Sequence, residues 1–272
     1  MEEKLLHRLR CPSCYHPLYY DGQILSCSAC QQSYLFYKNI PLLSKQARID
    51  RDWERFFNGQ VKQKGDTIAA NSYLNEHHFY LLQQAVLEMV GPVKNMNIID
   101  IGCGTGHFSA SLAKENLLVG LDLSLQMLMA AEAKGFYPIQ ASALELPLAE
   151  NSFDLVLANS IIQCIHEIEN FLAGLVRLCL PGGRIIISAF NCQNFFFKTF
   201  RQLKRNQSPR LFLYPLGKIV PTLAKFGARP SRITLLFYPF KLRKKILDFK
   251  FFEKAFLLVA SSFVLEARKS NA

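Results

Sequence analysis

The stretch "NIIDIGCGTGHFSASLA", residues 97–113, runs from a short apolar segment into a glycine-rich turn and then into a helical pattern. Ile98 and Ile99 read as a buried strand that ends at Asp100. Gly102, Gly104 and Gly106 read as a turn whose backbone takes positive φ and lies close against a ligand. A helix starting there offers unpaired N–H groups to a carboxylate or phosphate. The spacing is GxGxG, one residue tighter than the dinucleotide-binding fingerprint, so the surrounding elements have to support the reading.

They do. Downstream, "LLVGLDLS" (117–124) reads as a second strand ending in Asp122, 22 positions after Asp100. An acidic side chain at that place can accept both hydroxyls of a ribose. "YPIQASALELPLAENSFDLVLANS" (137–160) and "LPGGRIIISAF" (180–190) each contain a buried apolar run, Leu155–Ala158 and Ile185–Ile187. Upstream, "LNEHHFYLLQQAVLEMV" (74–90) places Leu81, Leu82, Ala85, Val86 and Met89 on one helical face, and Gly91-Pro92 ends it. Strand, glycine loop, helix, strand, acid, helix, strand is the order of a doubly wound α/β sheet. "SRITLLFYPF" (231–240) and "SSFVLEARK" (261–269) supply its last two strands. Between them, "KLRKKILDFKFFEKAF" (241–256) sets Leu242, Ile246 and Phe249 among lysines and arginines. That spacing predicts a basic amphipathic helix, either packed on the sheet or lying on a membrane surface.

A different texture precedes this part. In "CPSCYHPLYYDGQILSCSAC" (11–30), two CxxC pairs flank a hairpin with Asp21-Gly22 at its turn. Each CxxC knuckle presents two thiolates to one side, so Cys11, Cys14, Cys27 and Cys30 form the four soft ligands of a closed zinc site. His16 lies between the pairs but is surplus to a complete shell. "SYLFYKNIPLL" (33–43) is expected as one further strand ending before Pro41. About 45 residues bury too little apolar surface to fold alone, and the metal substitutes for a core. A closed shell has no open position, which assigns this clip to folding or docking.

The net charge of +11 is unevenly distributed: residues 191–272 hold 17 Lys+Arg against 3 Asp+Glu, while 1–190 hold 15 against 18. The same C-terminal part carries more than half of the 22 Phe. Nucleic acid, an anionic membrane surface and a solvated basic face over a Phe core are all consistent with it. No run reaches the roughly 18 apolar residues of a membrane-spanning helix. "MEEKLLHRLR" lacks the layout of a secretory signal, so a cytoplasmic, reducing setting is expected.

Residues 98–190 resemble the class I S-adenosylmethionine-dependent methyltransferases, in particular the broad type 11 group that includes quinone and biotin-pathway enzymes. "DIGCGTG", "LDLS", "LELPL…SFDLVLANS" and "LPGGRI" bear the likeness. The cysteine clip is similar to the small zinc ribbon that precedes or partners certain methyltransferases. The resemblance implies a Rossmann-like, seven-stranded, mostly parallel sheet after a small N-terminal zinc ribbon. The domains expected are a ribbon over 1–46, a linker over 47–70 and a methyltransferase domain over 71–272. The cofactors implied are S-adenosylmethionine and zinc. Asp100 and the loop Gly102, Cys103, Gly104 and Gly106 would hold the amino-acid end of the cofactor. Asp122 would take the ribose, Leu123 would stack on the adenine, and Asn159 would border the site. Similar enzymes often have an acidic residue at the adenine amino group where this chain has Ser142, so backbone near Ala143 is expected to share that contact.

The sulfonium brings its own activation, so alignment and exclusion of water come first, and a base is needed only for an acceptor that holds its proton. His166, after the fourth strand, is the candidate base; Tyr73 and His77 are candidates for the acceptor pocket. The Asn/Asp-Pro-Pro-aromatic motif of exocyclic-amine methylation is missing at Asn159-Ser160. Three functions stay open. The first is methylation of a lipophilic small molecule, quinone-like or acyl, with peripheral membrane association. The second is methylation of structured RNA, an rRNA or tRNA base, with ribbon and basic tail as contacts. The third is a non-catalytic cofactor-binding protein.

Overall fold

The computed structural model describes residues 3–44, 48–71, 76–194, 209, 211–237, 242–246 and 260–271. A short helix, α1 (Glu3–Leu6), opens the chain, followed by five two-residue strands: β1 (Tyr19–Tyr20), β2 (Leu25–Ser26), β3 (Ser33–Tyr34), β4 (Phe36–Tyr37) and β5 (Ile40–Pro41). Three helices follow, α2 (Arg48–Lys64), α3 (Ile68–Asn71) and α4 (Glu76–Val90). The α/β part runs β6 (Asn97–Ile101), β7 (Leu117–Asp122), α5 (Leu125–Glu132), β8 (Tyr137–Gln140), β9 (Phe153–Asn159), α6 (Ile168–Leu178) and β10 (Cys179–Phe190). It closes with α7 (Leu216–Lys225), β11 (Ala228–Phe237), β12 (Leu242–Ile246) and β13 (Ser262–Lys269).

The main sheet has the order β12-β11-β13-β10-β9-β6-β7-β8. The five strands from β10 to β8 pair in parallel, and β13, β11 and β12 add on antiparallel. Successive residues of the central strands face opposite layers, as the two-residue period requires. Ile98, Leu118, Leu155, Leu157 and Ile186 pack with α4 and α5 on one side. Ile99, Val119, Val156, Ile185 and Ile187 pack with α6 and α7 on the other. Chain order runs from β6 outward through β7 and β8, then restarts at β9 and runs the other way. The carboxyl ends of β6 and β9 therefore diverge, and that is where an open α/β sheet binds its ligand.

Three expectations change. The 241–256 segment is not helical at its start: residues 242–246 pair antiparallel with β11, from Phe237↔Leu242 to Ile233↔Ile246, giving the sheet an eighth strand. An apolar spacing of four fits the strand period as well as the helical one, and the free edge of β11 decides between them. Residues 247–256 lie outside the described residues. The 33–43 segment is not one strand: β3 joins β2, and the chain then turns at Lys38 (φ 54°) to pair β4 with β5, which includes Pro41. Residues 47–70, expected as a linker, hold the 17-residue α2 and the short α3. The Asp21-Gly22 hairpin is present, with Gly22 at φ +101° and β1 paired to β2.

The cysteine clip also has more core than its length suggests, because it shares one. Leu5, Leu9, Leu25 and Leu43 are fully buried in the layer that contains Phe171 and Leu172 of α6. Ile40 joins the opposite layer, so the clip wraps the free edge of β8. Backbone bonds tie it there: Arg10 N–H to Pro147 at 2.9 Å, Leu43 N–H to Gln140 at 2.8 Å, and the Ala149 N–H to Arg8 at 2.7 Å. The Arg177 guanidinium sits 4.6 Å over the Tyr15 ring, and the Tyr15 hydroxyl donates to the Leu148 carbonyl. Among the described residues, no helix is long and apolar enough to cross a membrane.

Candidate functional site

A cleft of about 1020 Å³, counted to its open mouth, lies over the divergence of β6 and β9. Its floor is the glycine turn. Gly102 takes φ +72°, and a Cβ there would lie 2.4 Å from Ile161 Cδ1, so the loop after β6 touches the loop after β9. The Gly102 and Cys103 N–H groups both donate to the Leu121 carbonyl, at 2.7 and 3.2 Å. Gly106 serves a different purpose from the one expected. It takes φ +81°, and a Cβ there would come within 2.7 Å of the Phe136 ring. It is not among the cleft-lining residues, so its missing side chain makes room for core packing.

Two carboxyl groups face this floor. Asp122, ending β7, accepts from the Gly104 N–H and from the Ser124 N–H, each at 2.9 Å. It thus fastens the glycine turn to the start of α5. Asp100, 1% exposed, accepts from the Ser109 hydroxyl on one oxygen, while its Oδ1 has no protein partner. Burial pushes its pKa up to about 7; Asp122 reinforces the rise, and Ser109 and Asn159 draw it back only in part. Asn159, ending β9, accepts from the Ser188 hydroxyl at 3.3 Å, and its buried Nδ2 lies near enough to Asp100 to lower that carboxyl's pKa without completing a hydrogen bond of normal geometry. An acceptor and a donor thus stand at the switch point without a full protein hydrogen-bond partner, which leaves both available to a polar ligand.

Most of the other predicted residues gather around this floor. Leu123, Ser142 and Ala143 line the cleft, with Ser142 Oγ occupied by the Leu144 N–H at 3.2 Å. Cys103 is among the lining residues, and its sulfur lies near Gly120, where burial pushes the thiol well above its ordinary pKa. His166 stands at the rim, its Nε2 3.1 Å from the Glu167 carboxylate. His77 is misplaced by the sequence reading. It is solvent-exposed on α4, whose inward positions are His78, Phe79 and Leu82, and it does not line the cleft. Its neighbour His78 is buried against Ser262 Oγ at 2.9 Å, and burial lowers its pKa to about 4. Tyr73 lies outside the described residues.

Sequence reasoning missed an apolar wall. Trp53 and Phe57 of α2, Phe79 of α4, and Phe108, Met127, Leu144, Ile161 and Ile165 from loops and helix starts complete the lining. The Trp53 and Phe57 rings stack with centroids 5.7 Å apart. One signal was available: Trp53 is the single Trp of the chain, one helical turn before Phe57.

Away from the cleft, the sulfurs of Cys11, Cys14, Cys27 and Cys30 all lie within 4.8 Å of one another. Cys11 and Cys30 are 3.5 Å apart, Cys14 and Cys27 3.3 Å, and the Tyr34 hydroxyl is 3.0 Å from Cys11 Sγ.

A family model described as a methyltransferase domain matches residues 99–187, which span the glycine turn, both carboxylates and β9. The chain is a class I S-adenosylmethionine-dependent methyltransferase. Curated relatives agree. A demethylmenaquinone methyltransferase of Tropheryma whipplei is 29% identical over 163 residues, covering 58% of this chain and 67% of the relative. A malonyl-[acyl-carrier protein] O-methyltransferase of Hamiltonella defensa is 32% identical over 139 residues, covering 47% and 54%. Relatives such as these are spanned over about half to two thirds of their length by this methyltransferase. The solved structures share its fold. A possible histamine N-methyltransferase of Thermotoga maritima superposes with TM-score 0.61 at 20% identity, covering 82% of this chain and all of that one. Magnesium protoporphyrin IX methyltransferase from Synechocystis, with bound S-adenosylhomocysteine, gives 0.57 at 18% identity, covering 82% and 100%.

Proposed function

We propose that this methyltransferase transfers the methyl group of S-adenosylmethionine to a lipophilic small molecule, quinone-like or acyl. The supporting observation is the cleft lining. Among the described lining residues the ionisable ones are Asp100, Asp122, His166, Cys103 and Cys164, and the rest are largely aromatic and aliphatic. Among the described residues no Lys or Arg lines the cleft, so none of them would neutralise a phosphate backbone, which an RNA acceptor requires. The names of the curated relatives, which concern a quinone precursor and an acyl carrier, point the same way.

The unsatisfied Asp100 Oδ1 and Asn159 Nδ2 fit the amino-acid end of the cofactor, which carries both an ammonium and a carboxylate. Asp122 would accept the ribose hydroxyls with the lone pairs that Gly104 and Ser124 leave free. Leu123, Ser142 and Ala143 would border the adenine. When bound, the sulfonium supplies an already activated methyl group. The chain holds the acceptor in line with it and keeps water out with Phe79, Phe108 and Ile165. His166 is assigned the proton of an acceptor hydroxyl.

We also assign zinc to the four cysteines. A tetrahedral site with Zn–S of about 2.3 Å places its sulfurs about 3.8 Å apart, close to the spacing here. The ribbon is then a structural site.

Incubation with methyl-labelled cofactor and fractionated cell extract tests the acceptor class. Label should enter the organic phase. Label in RNA or protein would overturn it.

A further inference from the structure

The ribbon and the cleft meet at one residue, Gln140, the last of β8. Its carbonyl accepts the Leu43 N–H at 2.8 Å, and Leu42 forms a parallel bridge with it, so the ribbon's final residues extend the main sheet by one rung. Its side-chain amide points the other way. Nε2 donates to the Leu123 carbonyl at 2.9 Å, in the loop that follows Asp122, and reaches Glu54 Oε1 of α2 at 3.4 Å. Gln140 is 7% exposed and does not itself line the cleft.

Helix α2 begins a few residues after that rung and runs over the β7 and β8 end of the cleft, packing on α5. Trp53, 3% exposed, and Phe57 form the wall there. Asn58 Oδ1 accepts the Ser124 hydroxyl at 2.7 Å, and Ser124 Oγ also accepts the Met127 N–H as the N-cap of α5. At the far end, Asp66 pairs with Lys134 at 2.5 Å and with His107 at 3.0 Å. The aromatic wall over Asp122 is thus not built by the α/β part. It comes from the segment that leaves the ribbon, and it is registered to the sheet through Gln140, Asn58 and Asp66.

We propose that the four-cysteine ribbon is a positioning element for the cofactor cleft. It sets α2, and with it Trp53, over the Asp122 end through the Leu42–Leu43 pairing with Gln140, and Gln140 is the positioning residue that transmits this. The inference rests on the reading that the cleft holds S-adenosylmethionine, and its test separates the two. It also gives the metal a reason to be there that does not involve RNA. An ordered ribbon holds the wall closed at a distance, without any of its own side chains lining the cleft.

The single Trp makes the test direct, because intrinsic emission comes from the wall itself. The unaltered protein, Cys30→Ser and Gln140→Met are compared by hydrogen exchange of the 48–64 peptides, by Trp53 emission and by titration with S-adenosylhomocysteine. Gln140→Met keeps length and shape but removes both side-chain bonds, which isolates the transmission step from ribbon unfolding. Both variants should speed exchange in α2 by about tenfold while α4 peptides stay protected, shift Trp53 emission to the red, and weaken ligand binding by about tenfold. In a Trp53→Leu background the further loss from Gln140→Met should shrink to less than about threefold, because the two changes remove one wall. Unchanged α2 exchange in Gln140→Met, or full additivity with Trp53→Leu, overturns the proposal. Failure of the unaltered protein to bind the ligand would overturn the cofactor reading instead, and the exchange comparison would still decide the coupling.

Discussion

Gly102→Ala tests the geometry of the cleft floor most sharply, because the structure separates its two costs. A side chain at φ +72° carries the left-handed penalty of about 1–2 kcal/mol. The new methyl would also stand 2.4 Å from Ile161 Cδ1 and 3.0 Å from its Cβ and Cγ1, too deep into that side chain for a rotamer change alone to relieve. Overpacking of this kind costs about 1–3 kcal/mol, so the total is about 2–5 kcal/mol. Gly91→Ala is the control. Gly91 has nearly the same backbone, φ +68°, at the end of α4, and nothing lies within 4 Å of its virtual Cβ. It should lose only the backbone term. Urea unfolding of both variants gives the difference, expected at about 1–3 kcal/mol. Ile161 lines the cleft, so its displacement should also weaken S-adenosylhomocysteine binding in calorimetric titration, whereas Gly91→Ala should leave it unchanged. Equal destabilisation of the two variants with equal affinities would refute the contact between the two loops.

Asp122→Asn should weaken S-adenosylhomocysteine about 10- to 100-fold by calorimetry while the domain still unfolds cooperatively, since charge-assisted bonds of about 1.5–3 kcal/mol are at stake. Asp100, whose folded pKa is raised to about 7, binds its proton more tightly in the folded than in the unfolded chain. Ligand-free stability should therefore fall as pH rises from about 4 to 7, and Asp100→Asn should flatten that slope in denaturant titrations. Glu266, 1% exposed, accepts Arg184 at 2.8 Å and Arg232 at 2.5 Å, which together with Ser231 hold it below its ordinary pKa despite the burial that pushes it up. Its contribution is present at neutral pH and is lost as pH falls below the carboxylate range. Glu266→Gln should cost about 3 kcal/mol without changing ligand affinity, which urea unfolding and calorimetry check together. Elemental analysis should find one zinc per chain, and Cys14→Ser with Cys30→Ser should abolish it.

The fold and the centre of the site were legible in the sequence because their signals are local. A strand ending in Asp100, a glycine turn and a strand ending in Asp122 occupy fewer than thirty consecutive residues, and each constrains its own backbone. The four cysteines are equally explicit, since each CxxC pair forms its knuckle without help. The same local logic failed where a partner decides. "LRKKI" suits helix or strand by spacing, and the open edge of β11 made it a strand. His77 and Phe79 are two positions apart on one helix, and only the direction in which α4 packs sends Phe79 inward.

What the sequence determined by itself is therefore which residues stand at the ends of β6 and β7, where residue type and short spacing suffice. The tertiary structure alone decided what closes over it. The aromatic wall comes from a segment that the charge-rich composition of 47–70 presents as a linker, and its Trp53 lies at the cleft while the ribbon just before it in the chain pairs with Gln140 across the β8 edge. Contacts between residues so far apart in the chain leave no periodicity behind. They exist only once the sheet edge that joins them has formed.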